Sequence, residues 1–456
     1  MSSFSPDDAA ERLRASLGPL VIFPGDPEYD VARSPWNTAV DQRPFAVARP
    51  ASADEVAAVV RAAVAAGLRV APQSAGHAAA ALADTDLADV VLVSLARLRG
   101  VTVDAEAGVV RVAGGTLWGE VIAETAPHGL TALHGSAGDV SVAGYALSGG
   151  VSFYGRRHGL AANAIRAVTL VTADGRQVTV DAGSEPELFW AVRGGAGAFG
   201  IAVSLDVALL PYADVFAGML LWDASHAGEV ARAWAAWTAT APESATTSLR
   251  IMHFPPIPEL PPFLRGRSVV AIDGAILEAD DEASDLLAPL RALAPELDTF
   301  GRIPVAEMLG LHMDPPQPTP GYSATAMLSS LPAEAADAFV EAAMSARPMV
   351  SELRHVGGAI ARPLVGGGAV SSIEGDYLLG SVSVVPTPEA LAPARTATAA
   401  VIGALGAWRA PSLALTFLDG GGVDPRPGFG ASADRLAELK RSYDPADVFV
   451  AAHPVT

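Results

Sequence analysis

The chain has 456 residues, of which 50% are apolar and 18% charged; this is too long for one ordinary hydrophobic core and predicts two compact domains. The formal charge of −20 disfavours nucleic acid and anionic membrane surfaces as partners. Because the chain contains no cysteine, disulfides, thiolate catalysis and cysteine-ligated metals are excluded. The first residues lack the pattern of a signal peptide and no run of about 18 apolar residues occurs, so we expect a cytoplasmic protein without a membrane segment.

The first third of the chain predicts short strands that alternate with helices. Ser52 and Glu55 form a capping-box pattern at the start of a helix predicted over residues 53–66. Next come two short strands separated by a loop of small residues, and then a hairpin and a further helix. The strands are predicted at 68–71 and 90–94, with the loop at 72–81 between them. The hairpin is predicted at 101–103 with 109–112, and the helix at 114–126.

A second glycine-rich region at 135–159 precedes another hairpin, a short helix and a strand that ends at Pro211. The composition changes near Pro211, and the following region mixes apolar strands with alanine-rich helices. We interpret that region as a second α+β domain. The predicted elements are the hairpin 167–172 with 176–180, helix 187–192, strand 201–210, strands 268–276 and 377–384, helices 333–346 and 388–405, and a tail helix from 433.

Residues 195–200 read Gly-Ala-Gly-Ala-Phe-Gly and satisfy the dinucleotide pattern G-x-G-x-x-G. That motif requires a strand before it and a helix after it, whereas here a helix precedes it and a β-branched run follows. The sequence therefore disfavours an NAD-binding Rossmann unit. It also contains no zinc-protease motif, no serine-hydrolase elbow and no Walker motif, and we expect no metal.

Three glycine-rich loops remain, at residues 72–81, 135–159 and 193–200. Loops of small residues expose backbone N–H groups that can hold a pyrophosphate, and they let the backbone approach a flat ring. A flavin dinucleotide needs both, although simple tight turns would explain the same glycines. His77 stands in the first loop among side-chain-poor neighbours.

The order of motifs resembles the FAD-linked oxidases of the vanillyl-alcohol oxidase superfamily, which have a PCMH-type FAD-binding domain, and is nearest their berberine bridge enzyme-like branch. The likeness is strongest over residues 43–211. The motifs are Arg-Pro-Ala-Ser at 49–52, Gln-Ser-Ala-Gly-His at 73–77, Gly-Gly-Thr-Leu-Trp at 114–118, Val-Ala-Gly-Tyr-Ala-Leu-Ser-Gly-Gly at 142–150, Tyr-Gly at 154–155, His-Gly-Leu at 158–160, Thr-Ala-Asp-Gly at 172–175, Leu-Phe-Trp-Ala-Val-Arg-Gly-Gly at 188–195 and Tyr-Asp-Pro at 443–445.

The resemblance implies an α+β fold with an FAD-binding domain made of residues 1–211 and 430–456. A substrate domain, residues 212–429, would place an antiparallel sheet over the flavin. His77 matches the family histidine that bonds to the flavin 8α-methyl group. The family's second, cysteinyl link falls near Ala137, so the resemblance implies a single covalent link. The implied FAD contacts are His77, Pro72, Gln73, Ser74, Ala75, Gly76, Ala78, Gly115, Gly135, Ser136, Gly138, Asp139, Val140, Gly144, Tyr145, Ser148, Gly149, Gly150, His158, Gly159, Leu160, Asn163, Gly200, Ile201, Val203 and Tyr443.

The candidate catalytic residues are Glu352 and His355, in a segment that matches a family strand facing the flavin. Strand alternation places Glu352 and Arg354 on one face and Leu353 and His355 on the other. Glu352 matches a family catalytic position and is our first candidate for the general base, with a pKa that burial would raise. The alternative is a solvated carboxylate on an edge strand. Candidate pocket residues are Tyr322, His312, Tyr377 and Trp222.

Several residues depart from the family pattern. Residues 73–76 differ from the family's arginine and glycines before the histidine, Ala414 and Thr416 stand where the family has Tyr and Asn, and the tail lacks the family's asparagines around Asp447, Ala452 and Pro454. The function implied is an oxidase of secondary metabolism that takes hydride from a hydroxylated small molecule, aromatic or polyketide-like, with reoxidation of the flavin by O₂. The alternatives are a carbohydrate or alcohol oxidase, or a flavin-binding protein that has lost turnover. We expect a monomer or homodimer.

Overall fold

The computed structural model describes residues 5–83, 85–258, 260–418 and 422–456. The α-helices are α1 (Pro6–Leu17), α2 (Tyr29–Arg33), α3 (Ala53–Ala65), α4 (Trp118–Thr125), α5 (Val142–Leu147), α6 (Gly155–His158), α7 (Pro186–Gly195), α8 (Ala227–Thr238), α9 (Asp280–Arg291), α10 (Ala333–Ala346), α11 (Leu391–Ala404), α12 (Arg426–Phe429) and α13 (Ala433–Tyr443). The strands are β1 (Val21–Ile22), β2 (Ala46–Ala48), β3 (Arg69–Gln73), β4 (Val90–Ser94), β5 (Val101–Asp104), β6 (Val109–Ala113), β7 (Ile165–Val171), β8 (Gln177–Asp181), β9 (Ile201–Ala208), β10 (Asp214–Asp223), β11 (Ala245–His253), β12 (Ser268–Ile276), β13 (Leu297–Asp298), β14 (Gly301–Pro304), β15 (Gly321–Leu328), β16 (Val350–His355) and β17 (Tyr377–Val384).

Two small sheets are built from the first 208 residues. The first has the order β1-β2-β4-β3, with β4 parallel to both β2 and β3, and the second is antiparallel in the order β5-β6-β9-β7-β8. The tail returns to the first sheet, where Val70 N donates to Val448 O and Val450 N donates to Val70 O. A core shared by α1, α3 and both sheets joins them.

The largest sheet is antiparallel and has eight strands, with β14 pairing to β10 beside the path β13-β10-β12-β11-β16-β17-β15. One face packs on α8 to α11 through an apolar core in which Trp234 and Phe339 are fully buried. The opposite face carries charged side chains at its centre. Since strand side chains alternate between faces, each residue's position fixes whether it meets the helices or the rest of the molecule.

Most predicted elements are confirmed, including both hairpins and the strands at 268–276 and 377–384. Ser52 caps α3 by accepting from Glu55 N, while the Glu55 carboxylate accepts from Ala51 N, one residue before the position a capping box would use. The glycine motif at 195–200 leads into β9, which is the order that argued against a Rossmann unit. Among the described residues, none of the helices is both long enough and apolar enough to cross a membrane.

Candidate active site

The loop that carries His77 follows β3 and is held by a tight backbone approach. Gly76 has φ +86°, and a Cβ there would lie 2.8 Å from Pro35 Cβ, so glycine is required on both counts. The adjoining Trp36 donates its backbone N–H to Ala75 O at 3.0 Å. Its indole stacks on the His77 imidazole with ring centres 4.4 Å apart and 24° between the planes. The imidazole is therefore fixed in one plane.

Asp139 lies against the other edge of the His77 ring. His77 Nε2 is 3.4 Å from Asp139 O and 3.9 Å from Asp139 Oδ1, and the Trp36 indole N–H donates to Asp139 Oδ2 at 2.5 Å. Burial lowers the pKa of His77 and outweighs the opposing charge of Asp139. The imidazole is thus neutral at pH 7. With Nε2 as the donor, the lone pair resides on Nδ1.

The three glycine-rich loops lie side by side. Ser74 Oγ donates to Gly114 O at 3.0 Å, which ties the His77 loop to the turn before α4. Gly197 approaches Pro72 so closely that a Cβ would lie 2.8 Å from Pro72 Cγ. His77 and Asp139, described above, join the first loop to the second. The fold therefore gathers the three loops that the sequence singled out.

Several buried polar atoms beside these loops have no partner within the described chain. They belong to α4 and to residues 134–163. They are Trp118 Nε1, His134 Nε2, Asp139 Oδ1, Tyr145 OH and Asn163 Oδ1. Buried polar groups are almost always hydrogen-bonded, so such a cluster suits a ligand with many donors and acceptors. FAD, with its pyrophosphate, ribityl hydroxyls and ring edge, is a ligand of that kind, and the residues fit it.

The other predicted FAD contacts are distributed along the same loops and the strands behind them. Val203 accepts from Gly114 N through its carbonyl, His158 Nε2 lies 2.9 Å from Tyr212 OH, and Gly200 has φ +154°. Tyr443 stands apart on α13. Its hydroxyl lies 3.5 Å from Glu185 Oε2, at the start of α7.

The charged face of the large sheet holds Glu352 and Arg354, adjacent in alternation on β16. Arg354 Nε donates to Glu352 Oε1 at 2.9 Å, and His312 Nε2 lies 3.7 Å from the same oxygen. Directly across the strands from Glu352 stand Arg250 and Gly380. A Cβ on Gly380 would meet nothing within 4 Å, so there is free space on this face across the strand pair from Glu352.

A second buried carboxylate supports His312 from behind. Asp273 has no exposed surface and lies 2.9 Å from His312 Nδ1. Arg250 forms an ion pair with Asp273 and donates to the His312 carbonyl at 2.7 Å. The imidazole therefore lies between two carboxylates, with Asp273 at Nδ1 and Glu352 facing Nε2.

The prediction that burial raises the pKa of Glu352 is wrong. Burial alone would raise it, but the positive charges of Arg354 and His312 and their hydrogen bonds to the carboxylate hold the pKa of Glu352 well below its usual range. Burial and the charge of Arg250 act to lower the pKa of His312. The carboxylates of Asp273, Glu352 and Asp314 outweigh both and raise it to about 9. Glu352 is an anion and His312 a cation at neutral pH. Glu352 is also not a solvated edge carboxylate, because only 16% of its side chain is exposed.

His355 and three of the four candidate pocket residues lie on the opposite face of the sheet and require correction. His355 stacks on Tyr377, and burial, aided by the charge of Arg156, lowers the pKa of His355 to about 2. The Trp222 indole donates to Leu293 O in the helix-side core. The Tyr322 ring lies under Arg395 of α11. Regular pairing along β16 fixes this outcome, because no bulge turns His355 toward Glu352.

A short segment after residue 310 joins the two clusters. His312 faces Glu352, and two residues later Asp314 accepts from Ser136 Oγ at 2.6 Å, in the loop that also carries Asp139. This segment therefore connects the loop that carries Asp139 with the Glu352 face of the large sheet.

Sequence reasoning missed five further residues of this site. Charged residues inside otherwise apolar strands were the available signal for two of them, Arg250 and Asp273. The other three, Asp314, Phe153 and Phe417, carry no such signal. Phe153 and Phe417 lie under the Arg354 guanidinium, at 5.7 and 5.1 Å from the ring centres.

Thr416, one of the departures from the family pattern, has a defined role in the fold. Its hydroxyl accepts from Gly150 N at 2.8 Å and donates to Ser148 O at 3.1 Å. It thereby ties the segment before Phe417 to the second glycine-rich loop. Ala414 is buried in the same core.

Comparison with known proteins indicates an FAD-binding domain. A family model described as an FAD binding domain matches residues 44–181. (R)-6-hydroxynicotine oxidase of Paenarthrobacter nicotinovorans is 36% identical over 204 residues, which cover 44% of this chain and 44% of that protein. Xylooligosaccharide oxidase of Thermothelomyces thermophilus is 34% identical over 178 residues, 39% of this chain and 36% of that protein. The match thus spans less than half the length of these curated relatives.

Solved structures extend the likeness over nearly the whole chain. Physcomitrella patens BBE-like 1 has a TM-score of 0.83 at 20% identity, covering 98% of this chain and 99% of that one. The 6-hydroxy-D-nicotine oxidase from Arthrobacter nicotinovorans has a TM-score of 0.78 at 23% identity, covering 94% and 96%. At these low identities the structural similarity shows the fold alone, and the predicted α+β architecture is confirmed.

Proposed function

We propose that this chain, a member of the FAD-linked oxidoreductases with a berberine bridge enzyme-like fold, is an oxidase of a hydroxylated small molecule. The observation that carries the proposal is the ionised, buried Glu352 on the sheet face joined to the glycine-rich loops of the FAD-binding domain. An anionic carboxylate with free space across the strand pair from it can accept the proton of a substrate hydroxyl. Bound FAD would supply the hydride acceptor, and O₂ would reoxidise the reduced flavin.

The protein's own groups divide the remaining work. Arg354 holds the Glu352 carboxylate through Nε and is itself held over two aromatic rings, so the base has a fixed position. The neutral His77, with its lone pair on Nδ1, is the residue we propose to bond covalently to the flavin, singly because the chain has no cysteine. A covalent link would hold the ring in place and raise its potential.

An aromatic or polyketide-like substrate is the class we favour. Phe417, which is partly exposed, flanks Arg354 and gives the site an apolar wall against which a flat ring packs well. A relative named for hydroxynicotine oxidation supports this class. A relative named for xylooligosaccharides supports the second candidate, a carbohydrate oxidase.

The test is anaerobic reduction of the purified holoprotein by matched panels of phenolic or benzylic alcohols and of oligosaccharides, followed by readmission of air. We expect the first panel to bleach the flavin absorbance and air to restore it. Glu352→Gln should slow bleaching by about 10²- to 10⁴-fold, the usual contribution of a positioned base. Glu243→Gln removes the surface partner of Arg362 and serves as the matched control with unchanged bleaching.

Three outcomes would contradict parts of the proposal. Bleaching by oligosaccharides alone reverses the substrate class. Photoreduction and reoxidation without bleaching by any donor favours a flavin-binding protein. Equal rates in Glu352→Gln and the control remove Glu352 as the base.

The covalent link has its own test. Trypsin cleavage after Arg69 and Arg97 releases residues 70–97, in which His77 is the sole histidine. We expect this peptide from acid-denatured protein to carry the added mass of one FAD, and the peptide from His77→Ala to carry none. An unmodified wild-type peptide with all flavin in the supernatant would refute the link while leaving FAD binding intact.

A further inference from the structure

The most unusual feature outside the proposed base is the buried pair of Asp273 and His312. Asp273 is fully buried on β12, and one of its oxygens, Oδ1, has no described hydrogen-bond partner. Its Oδ2 lies 2.9 Å from His312 Nδ1, and Arg250 contacts both Asp273 and the carbonyl of His312. Burying an acid, a base and an arginine in this way costs free energy, because each charge gives up its hydration. Such a cluster on the charged face of the large sheet suggests a role in the site rather than in stability.

We infer that Asp273 and His312 are positioning residues that hold a protonated imidazole against Glu352 and so keep its carboxylate ionised and oriented to receive the substrate proton. The inference rests on the proposed function for the identity of the proton donor. The geometry that carries it is the linear order of Asp273, His312 and Glu352, with the imidazole held at Nδ1 and facing Glu352 at 3.7 Å through Nε2. Neither proposed residue needs to touch the substrate.

The charges around the imidazole come from each element packed on it. Arg250 projects from β11, Asp273 from β12, Glu352 and Arg354 from β16, and Asp314 from the segment of His312 itself. With His312 protonated, the six groups comprise three cations and three anions. Loss of the imidazole proton would leave two adjacent carboxylates, Asp273 and Glu352, with one cation fewer between them.

The direction of the pKa shifts agrees with that arrangement. Burial and Arg250 act to lower the pKa of His312, but Asp273, Glu352 and Asp314 together raise it to about 9. Since a buried anion favours protonation of its neighbour, removing the charge of Asp273 lowers the pKa of His312. Once His312 is neutral, Glu352 loses a cation and its own pKa rises.

The decisive experiment has one readout that needs no turnover. The holoprotein labelled with ¹⁵N-histidine is titrated by NMR, and His312→Gln identifies the His312 signal. We expect His312 to remain protonated through pH 8, and Asp273→Asn to move its titration down by more than one pH unit. Asp337→Asn, which removes the exposed partner of Arg232, is the matched control and should leave the signal unchanged.

The second readout is the pH profile of anaerobic flavin reduction by a donor found active. In the wild type we expect the rate to be level from pH 6 to 8. In His312→Gln, which removes the cation beside Glu352, the fall in rate at acid pH should begin at least about one pH unit higher than in the wild type, a shift of one pKa unit or more for Glu352. Because Gln at 312 keeps an N–H donor for Asp273, that variant preserves the fold if Asp273→Asn does not.

Each outcome is informative. A His312 signal that titrates at the same pH in wild type and Asp273→Asn overturns the inference. A rate that falls equally at all pH values in His312→Gln shows a merely structural role and also overturns it. A high His312 titration that Asp273→Asn lowers, in a protein whose flavin no donor reduces, supports the pair while refuting the proposed oxidase.

Discussion

Replacing Thr416 with Val removes the two hydrogen bonds that tie the segment before Phe417 to the second glycine-rich loop. Valine has nearly the shape of threonine, so the change deletes the hydroxyl and little else. Gly150 N–H, which is buried, and Ser148 C=O each lose a partner. At about 1 kcal/mol per hydrogen bond, the free energy of unfolding should fall by about 2 kcal/mol.

Thr398→Val is the matched control. Thr398 is fully buried in α11, where its hydroxyl donates to Ala394 O, one turn earlier in the same helix. That carbonyl also lies in register to accept a helical backbone N–H, so loss of the hydroxyl leaves no buried group without a partner. We expect the control to change the free energy of unfolding by less than about 0.5 kcal/mol.

Urea unfolding followed by tryptophan fluorescence measures both variants, and the ratio of flavin to protein absorbance measures cofactor content. Gly149 and Gly150 have φ of +111° and +75°, and as glycines they can adopt other conformations once the Thr416 hydroxyl no longer holds the loop. Thr416→Val should therefore also lower the flavin content. The reasoning is refuted if the two valine variants unfold at free energies within about 0.5 kcal/mol of each other and retain equal flavin.

Three further predictions concern close packing, pH and the tail. Gly115→Ala places a Cβ 1.8 Å from a backbone carbonyl oxygen and should abolish soluble, flavin-bearing protein. A Cβ at Gly310 meets nothing within 4 Å, so Gly310→Ala should express and absorb light as the wild type does. Equal yields of the two variants would contradict this prediction. Burial lowers the pKa of His134 to about 4, below its unfolded value of 6.5. Between these two pH values the unfolded chain binds a proton that the folded chain does not, so the free energy of unfolding should fall by about 3 kcal/mol from pH 7 to pH 4. In urea unfolding at each pH, His134→Gln should remove this dependence on pH. Lys440→Met leaves Asp444 buried without its ion-pair partner and should cost about 3 kcal/mol, with earlier proteolysis of the tail; a variant as resistant as wild type would show that the pair does not hold it.

The sequence was sufficient for the elements whose signals are local. The helix over residues 53–65 follows from its apolar spacing and from Ser52, and the hairpins follow from alternation interrupted by turn residues. The glycine motif at 195–200 was correctly separated from a Rossmann unit, because the elements on either side are themselves local. The motif order likewise indicated an FAD-binding domain, which the family match over 44–181 supports.

Strand alternation also determined part of the site in advance. It required Glu352 and Arg354 to share one face and His355 to take the other, and the regular register of β16 confirms this. Alternation within one strand does not say which face meets the helices. Tyr322, Tyr377 and Trp222 were assigned to the pocket for their chemistry, and each proved to face the helix-side core.

Only the tertiary structure decided the charge state of the base. The strand that carries Glu352 predicts its burial, and burial by itself raises the pKa of a carboxyl group. The charges of Arg354 and His312 outweigh burial and lower the pKa of Glu352. Asp273 and His312 lie 39 residues apart in sequence and on different elements. Coulomb energy depends on distance in space and not on separation along the chain, so no local pattern could bring these groups together. The sequence by itself indicated Glu352 and His312 as candidates, whereas the fold added charged groups such as Asp273 and determined which of them meet.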